Sequence, residues 1–143
     1  MEPVGAGPNE RGLSRRHIFN QVEASLRRLG TDHLDLYYAH HPDPATPIEQ
    51  TLRAFDDLVR QGKIRYAALS TYPAWQMMEA LWTADRSGLA PPACNQIAYS
   101  LANRAAEQEM FSSFWRASRL GGWGWGLPRG FKNIRSTRIS CML

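Results

Sequence analysis

Three side chains able to hydrogen-bond a polar ligand close short apolar runs in the sequence. His40 follows Leu34-Asp35-Leu36-Tyr37-Tyr38-Ala39, Ser70 ends the run 64–69, and Gln96 lies within 93–98. They stand 30 and 26 residues apart, the repeat length of a βα unit in a parallel sheet. A lone histidine at a strand end is more often a satisfied polar residue than a catalytic one. The spacing changes that weighting. Right-handed crossovers put the carboxyl ends of parallel strands on one rim, so an imidazole, a hydroxyl and an amide are expected together there. Such a convergence is more than chance placement.

The elements that must position these groups follow in order. Ser14 suits an N-cap, Ile18, Val22, Leu26 and Leu29 form a helical apolar stripe, and Gly30 stops the helix after Arg27 and Arg28. The first strand must end near His41, because Pro42 and Pro44 cannot donate to a ladder. Thr46-Pro47-Ile48-Glu49 reads as a capping box opening a second helix, with Ile48, Leu52, Phe55 and Val59 inward and Gly62 at its end. A strand at 64–69 follows. Pro73 opens a third helix, with Trp75, Met78 and Trp82 expected on its inner face and Gly88 as its stop. Pro91-Pro92 precede a strand at 93–98, and Asn103 suits the cap of a fourth helix to about Met110. Near-continuous apolar strands fit a sheet covered by helices.

The net charge of +4 is unevenly spread. Residues 1–110 hold eleven of the seventeen basic side chains and all thirteen acidic ones, whereas 111–143 hold six basic residues and no acid. The first part therefore has the composition of an ordinary enzyme domain. No stretch of about eighteen apolar residues is present, so no membrane-spanning helix is expected. Residues 1–12 lack an apolar core and read as an irregular leader rather than a secretory signal. Cys94 and Cys141 make no metal or redox spacing, and a reduced, cytoplasmic setting is expected.

Several motifs together resemble the aldo-keto reductase family. They are Arg11-Gly12-Leu13-Ser14-Arg15-Arg16-His17-Ile18, Leu34-Asp35-Leu36-Tyr37 followed by His40, Pro42-Asp43-Pro44, Gly62-Lys63-Ile64-Arg65 with Leu69-Ser70, and Asn95-Gln96. Their order and spacing match over roughly 8–110, in the manner of the branch containing the potassium-channel β subunits and their bacterial relatives. The resemblance implies a (β/α)₈ TIM barrel that reduces a small-molecule carbonyl with NADPH, through an Asp, Tyr, Lys and His tetrad. His40 stands at the family's histidine and is the expected catalytic residue. Ser70 and Gln96 stand where the family holds the nicotinamide carboxamide. Thr71 replaces the usual asparagine and is placed with them as cofactor-binding, with a shorter hydroxyl in place of the amide. No metal is expected.

A barrel takes about 250 residues, so this α/β chain is expected to form a partial barrel of three to four central βα units. The expected domains are the leader at 1–12, the partial barrel at 13–110 and an irregular tail at 111–143. The other three tetrad residues are expected before Met1. Lys63 starts its strand, which puts it roughly 23 Å from the active rim, and cannot replace the missing lysine. Tyr37 and Tyr38 lie within the strand and read as core or helix-facing residues. A fragment inactive by itself is the expectation. The alternatives are a nucleotide-sensing or interaction module like the channel β subunits, or a half-barrel that oligomerises through its open edges. Against the sensing alternative, that branch has asparagine at the His40 position. The tail holds three of the five tryptophans and five glycines among its basic residues. That mixture suits a nucleic-acid-binding tail or translation in a shifted frame, and the second is favoured because composition and family match break together.

Overall fold

The computed structural model describes residues 11–98 and 104–110, and of the tail only the backbone of 141–142. Helices and strands alternate: α1 (Arg15–Leu29), β1 (Leu34–Ala39), α2 (Ile48–Arg60), β2 (Ile64–Ser70), α3 (Ala74–Ser87), β3 (Asn95–Gln96) and β4 (Cys141–Met142). The sheet is parallel in the order β3-β2-β1-β4. β1, β2 and β3 are laid down side by side in one direction, so right-handed crossovers place α2 and α3 on a single face. One core joins that face to the helices. It includes Ile18 and Val22 of α1, Leu52, Phe55 and Leu58 of α2, and Tyr37, Ala39, Ala67 and Leu69 of the strands. Tyr37 meets Phe55 edge to face, with ring centroids 6.1 Å apart. This is a partial sheet of the kind that three βα units supply.

The helix ends follow local chemistry. The Ser14 hydroxyl accepts from the His17 N–H, and Gly30 closes α1 at φ 62°, a left-handed conformation that suits glycine. α2 does not use the expected capping box. Pro47 is its N-cap, with no side-chain bond to the helix. The Thr46 hydroxyl instead donates to Asp43 Oδ2 at 2.7 Å. Asp43 captures it because a loop carboxylate within reach is a stronger acceptor than the cap geometry requires.

The α3 stripe is also corrected. Trp75 and Trp82 are 61% and 59% exposed, and α3 buries Ala74, Met77, Ala80 and Ala84 instead. Small residues let this helix lie close to its neighbours, so the indoles are turned to solvent, where Arg86 stacks on Trp82 at 5.3 Å. Leu29 is likewise 40% exposed rather than inside.

The third strand is two residues long, not six. Backbone bonds from Ala93 N–H to the Ala67 carbonyl (2.8 Å) and from Leu69 N–H to the Cys94 carbonyl (2.9 Å) lead into it. The tail was expected to be irregular throughout, but residues 141–142 form β4 beside Tyr37 and Tyr38. The free edge of β1 offers unpaired backbone groups that favour such an addition. Asn103, expected to cap a fourth helix, lies outside the described residues. Helical residues 106–110 follow it and bring Met110 into the core.

Candidate functional site at the strand ends

Register sets the rim. Ala39 pairs with Leu69, Leu69 with Asn95, and Ser70 with Gln96. His40 is the next residue after β1, so it comes level with Ser70, and Gln96 sits one strand further on. The expected row of imidazole, hydroxyl and amide is therefore formed along adjacent strand ends. Ser70 is buried, His40 half-buried and Gln96 exposed. His40 Nδ1 is buried with no hydrogen-bond partner among the described residues.

Thr71 joins these ends. Its N–H donates to the Gln96 carbonyl at 2.8 Å. Its hydroxyl donates to the His40 carbonyl at 2.9 Å and lies 2.7 Å from the Ser70 carbonyl. The same oxygen is 2.6 Å from His41 Nδ1, and the His41 ring packs 4.2 Å from that of His40. Thr71 has φ 57°, and among non-glycine described residues it alone has a positive φ. Asparagine tolerates that conformation better than a β-branched residue.

A second layer holds the rim from below. Asp43 accepts from Leu13 N–H, Ala45 N–H and the Thr46 hydroxyl, tying the start of the domain to the loop after β1. Burial alone would raise its carboxyl, but these donors outweigh it and hold the pKa below the ordinary value. Asn95 is buried and donates through Nδ2 to the Tyr72 carbonyl at 2.8 Å, fixing the turn that follows Thr71. A cleft of about 160 Å³ opens just outside the rim between Leu13, the Pro42-Asp43-Pro44 loop, Ile48, Tyr72 and Gln76. His40, Ser70 and Gln96 do not line it.

The groups ruled out as tetrad substitutes behave accordingly. Lys63 pairs with Glu23 at the far end of β2. Tyr37 is buried against Phe55. Tyr38 turns to the other face, where its hydroxyl lies 3.5 Å from Cys94 Sγ. Burial, then the Cys94 contact, pushes its pKa up to about 12. Burial also raises the Cys94 thiol, so it is a poor nucleophile. Among the described residues no cluster of three or more His, Cys, Asp or Glu could hold a metal ion.

Sequence reasoning missed His41, Asp43 and Asn95 as contributors to the rim. Asp43 carried a usable signal, a carboxylate between two prolines followed by residues whose N–H and O–H it could accept. His41 carried none, because its partner lies thirty residues away on the next strand end.

Helices alternating with a partial parallel sheet, polar at its carboxyl rim, define a protein of the α/β class. The chain belongs to the aldo/keto reductase family, whose sequence model matches residues 4–117. It is 43% identical over 97 residues to a protein of Arabidopsis thaliana described as a probable voltage-gated potassium channel subunit beta, covering 68% of this chain and 30% of the relative. It is 38% identical over 117 residues to a protein of the same description from Oryza sativa subsp. japonica, covering 82% and 36%. The chain thus spans about a third of the length of these curated relatives.

Proposed function

We propose that this chain carries part of the active rim of an NADPH-dependent carbonyl reductase, and that by itself it does not turn over substrate. The observation supporting this reading is His40 standing level with Ser70 and Gln96 on three adjacent strand ends. A hydroxyl beside an amide supplies the donors and acceptors that a carboxamide needs, so the nicotinamide end of the cofactor fits these residues. Ser70 and Gln96 would hold that group, and Thr71 would shape the turn between them. When bound, NADPH supplies hydride. His40 would donate a hydrogen bond to the carbonyl oxygen as it gains negative charge. The strand-end segments 40–47, 70–73 and 96–98 hold no lysine or arginine to take the cofactor's phosphates, and the other three tetrad residues have no counterpart among the described residues. The substrate is a small aldehyde or ketone, and the setting is cytoplasmic. No helix among the described residues is long and apolar enough to cross a membrane.

A second reading, an interaction module, draws on the description of the relatives as channel subunits. A histidine rather than asparagine at position 40 argues for reductase chemistry. A third reading, self-association through the sheet edges, is tested by sedimentation. Binding is tested by titrating the 143-residue chain with NADPH and following tryptophan fluorescence. Saturable quenching that Ser70→Ala or Gln96→Ala weakens about tenfold supports the reading. Quenching that is absent, or indifferent to both substitutions, overturns it.

A further inference from the structure

We infer that the Thr71 hydroxyl fixes His41 in the Nδ1–H tautomer and so leaves Nε2 as the basic nitrogen of that ring. A threonine hydroxyl has one hydrogen to give and can accept on its lone pairs. Two carbonyl oxygens compete for that hydrogen, that of Ser70 at 2.7 Å and that of His40 at 2.9 Å. If the hydrogen pointed at His41 instead, Thr71 Oγ1 would face both carbonyls with nothing between but oxygen lone pairs. The hydroxyl therefore donates to a carbonyl and accepts from the imidazole, and the 2.6 Å contact requires a proton on His41 Nδ1. The partner of one ring nitrogen decides where the other is basic.

Thr71 is thus a positioning residue. It fastens the loop after β1 to the end of β2 and sets the acid–base identity of the ring packed 4.2 Å from His40. Its hydroxyl is engaged by the protein and acts on the rim through the two histidines rather than by direct contact with a ligand. This rests on hydrogen-bond geometry alone and needs no cofactor.

The test is long-range ¹H–¹⁵N NMR of the histidine rings in the whole chain, at an alkaline pH where imidazoles are neutral. The expected result is His41 as Nδ1–H in the wild type and in Thr71→Ser, which keeps the hydroxyl. In Thr71→Val, where the acceptor for Nδ1–H is gone, that form should give way to Nε2–H. Thr71→Ala provides the same deletion without a branched residue in the left-handed conformation, should the valine variant fold poorly. A wild-type ring protonated at Nε2, or a tautomer that survives loss of the hydroxyl, refutes the inference.

Discussion

Asp43→Ala is the substitution that most directly tests how the rim is held. The carboxylate accepts from Leu13 N–H at 2.8 Å, the Thr46 hydroxyl at 2.7 Å and Ala45 N–H at 3.0 Å. Bonds to a charged acceptor contribute about 1.5–3 kcal/mol each, but those from Leu13 and Thr46 are only half-buried here and that from Ala45 is exposed. All three share one carboxylate and do not add independently. Removing it should cost about 3 kcal/mol, a large share of the roughly 5–15 kcal/mol typical of a domain. The assay is urea unfolding followed by tryptophan fluorescence at neutral pH. The acid side gives an independent check. Asp43 has a lowered pKa when folded, so its contribution is fully present above the unfolded carboxyl value of about 3.9 and fades as pH falls through the lower folded value. Asp43→Asn should keep part of the neutral-pH stability and lose that acid-side dependence. A loss below about 1 kcal/mol in the alanine variant, or an unchanged acid limb in the asparagine variant, would show that the loop is held by something else.

Gly88 closes α3 at φ 62° with nothing within 4 Å of a Cβ placed there, so Gly88→Ala carries only the backbone penalty. That should lower stability by about 1 kcal/mol in a thermal melt, with Gly88→Asn much closer to neutral. On α3, Trp75→Gln and Trp82→Gln should each change stability by less than about 0.5 kcal/mol, because both indoles face solvent. Ala80→Leu, at a fully buried position on the same helix, should cost about 1–3 kcal/mol by overpacking. Phe55→Ala removes the ring that meets Tyr37 and should cost about 3–5 kcal/mol, read as a lower urea midpoint with an unchanged slope.

The succession of helices and strands was legible because each boundary carries its own chemistry. Ser14, Gly30, Pro73 and Gly88 act where they stand in the chain, and the structure uses all four as expected. The alignment of His40 with Ser70 and Gln96 was legible for a different reason, since equal βα repeats put strand ends in register. What failed depends on neighbours distant in sequence. The inner face of α3 is selected by how closely the helix must approach the sheet, which favours Ala80 and Ala84 over larger apolar residues. The Thr46 hydroxyl had two acceptable uses, and only the position of Asp43 decides between them. The contact between His41 and Thr71 joins two loops whose meeting is a product of the sheet itself.

The pairing pattern also sets an order of assembly. β1 joins β2, and β2 joins β3, through partners about thirty residues apart or fewer, so each hairpin-sized closure is entropically modest. β4 pairs residue 37 with residue 141, a closure more than three times longer that adds roughly 1 kcal/mol in loop entropy. Only two residues repay it. The central strands should therefore form early and exchange their amide protons slowly, while the β4 pairing forms last and opens first. Each opening exposes the backbone of Tyr37 and Tyr38 to any other strand that reaches it. Any self-association should then follow the lifetime of that short seam more closely than global stability.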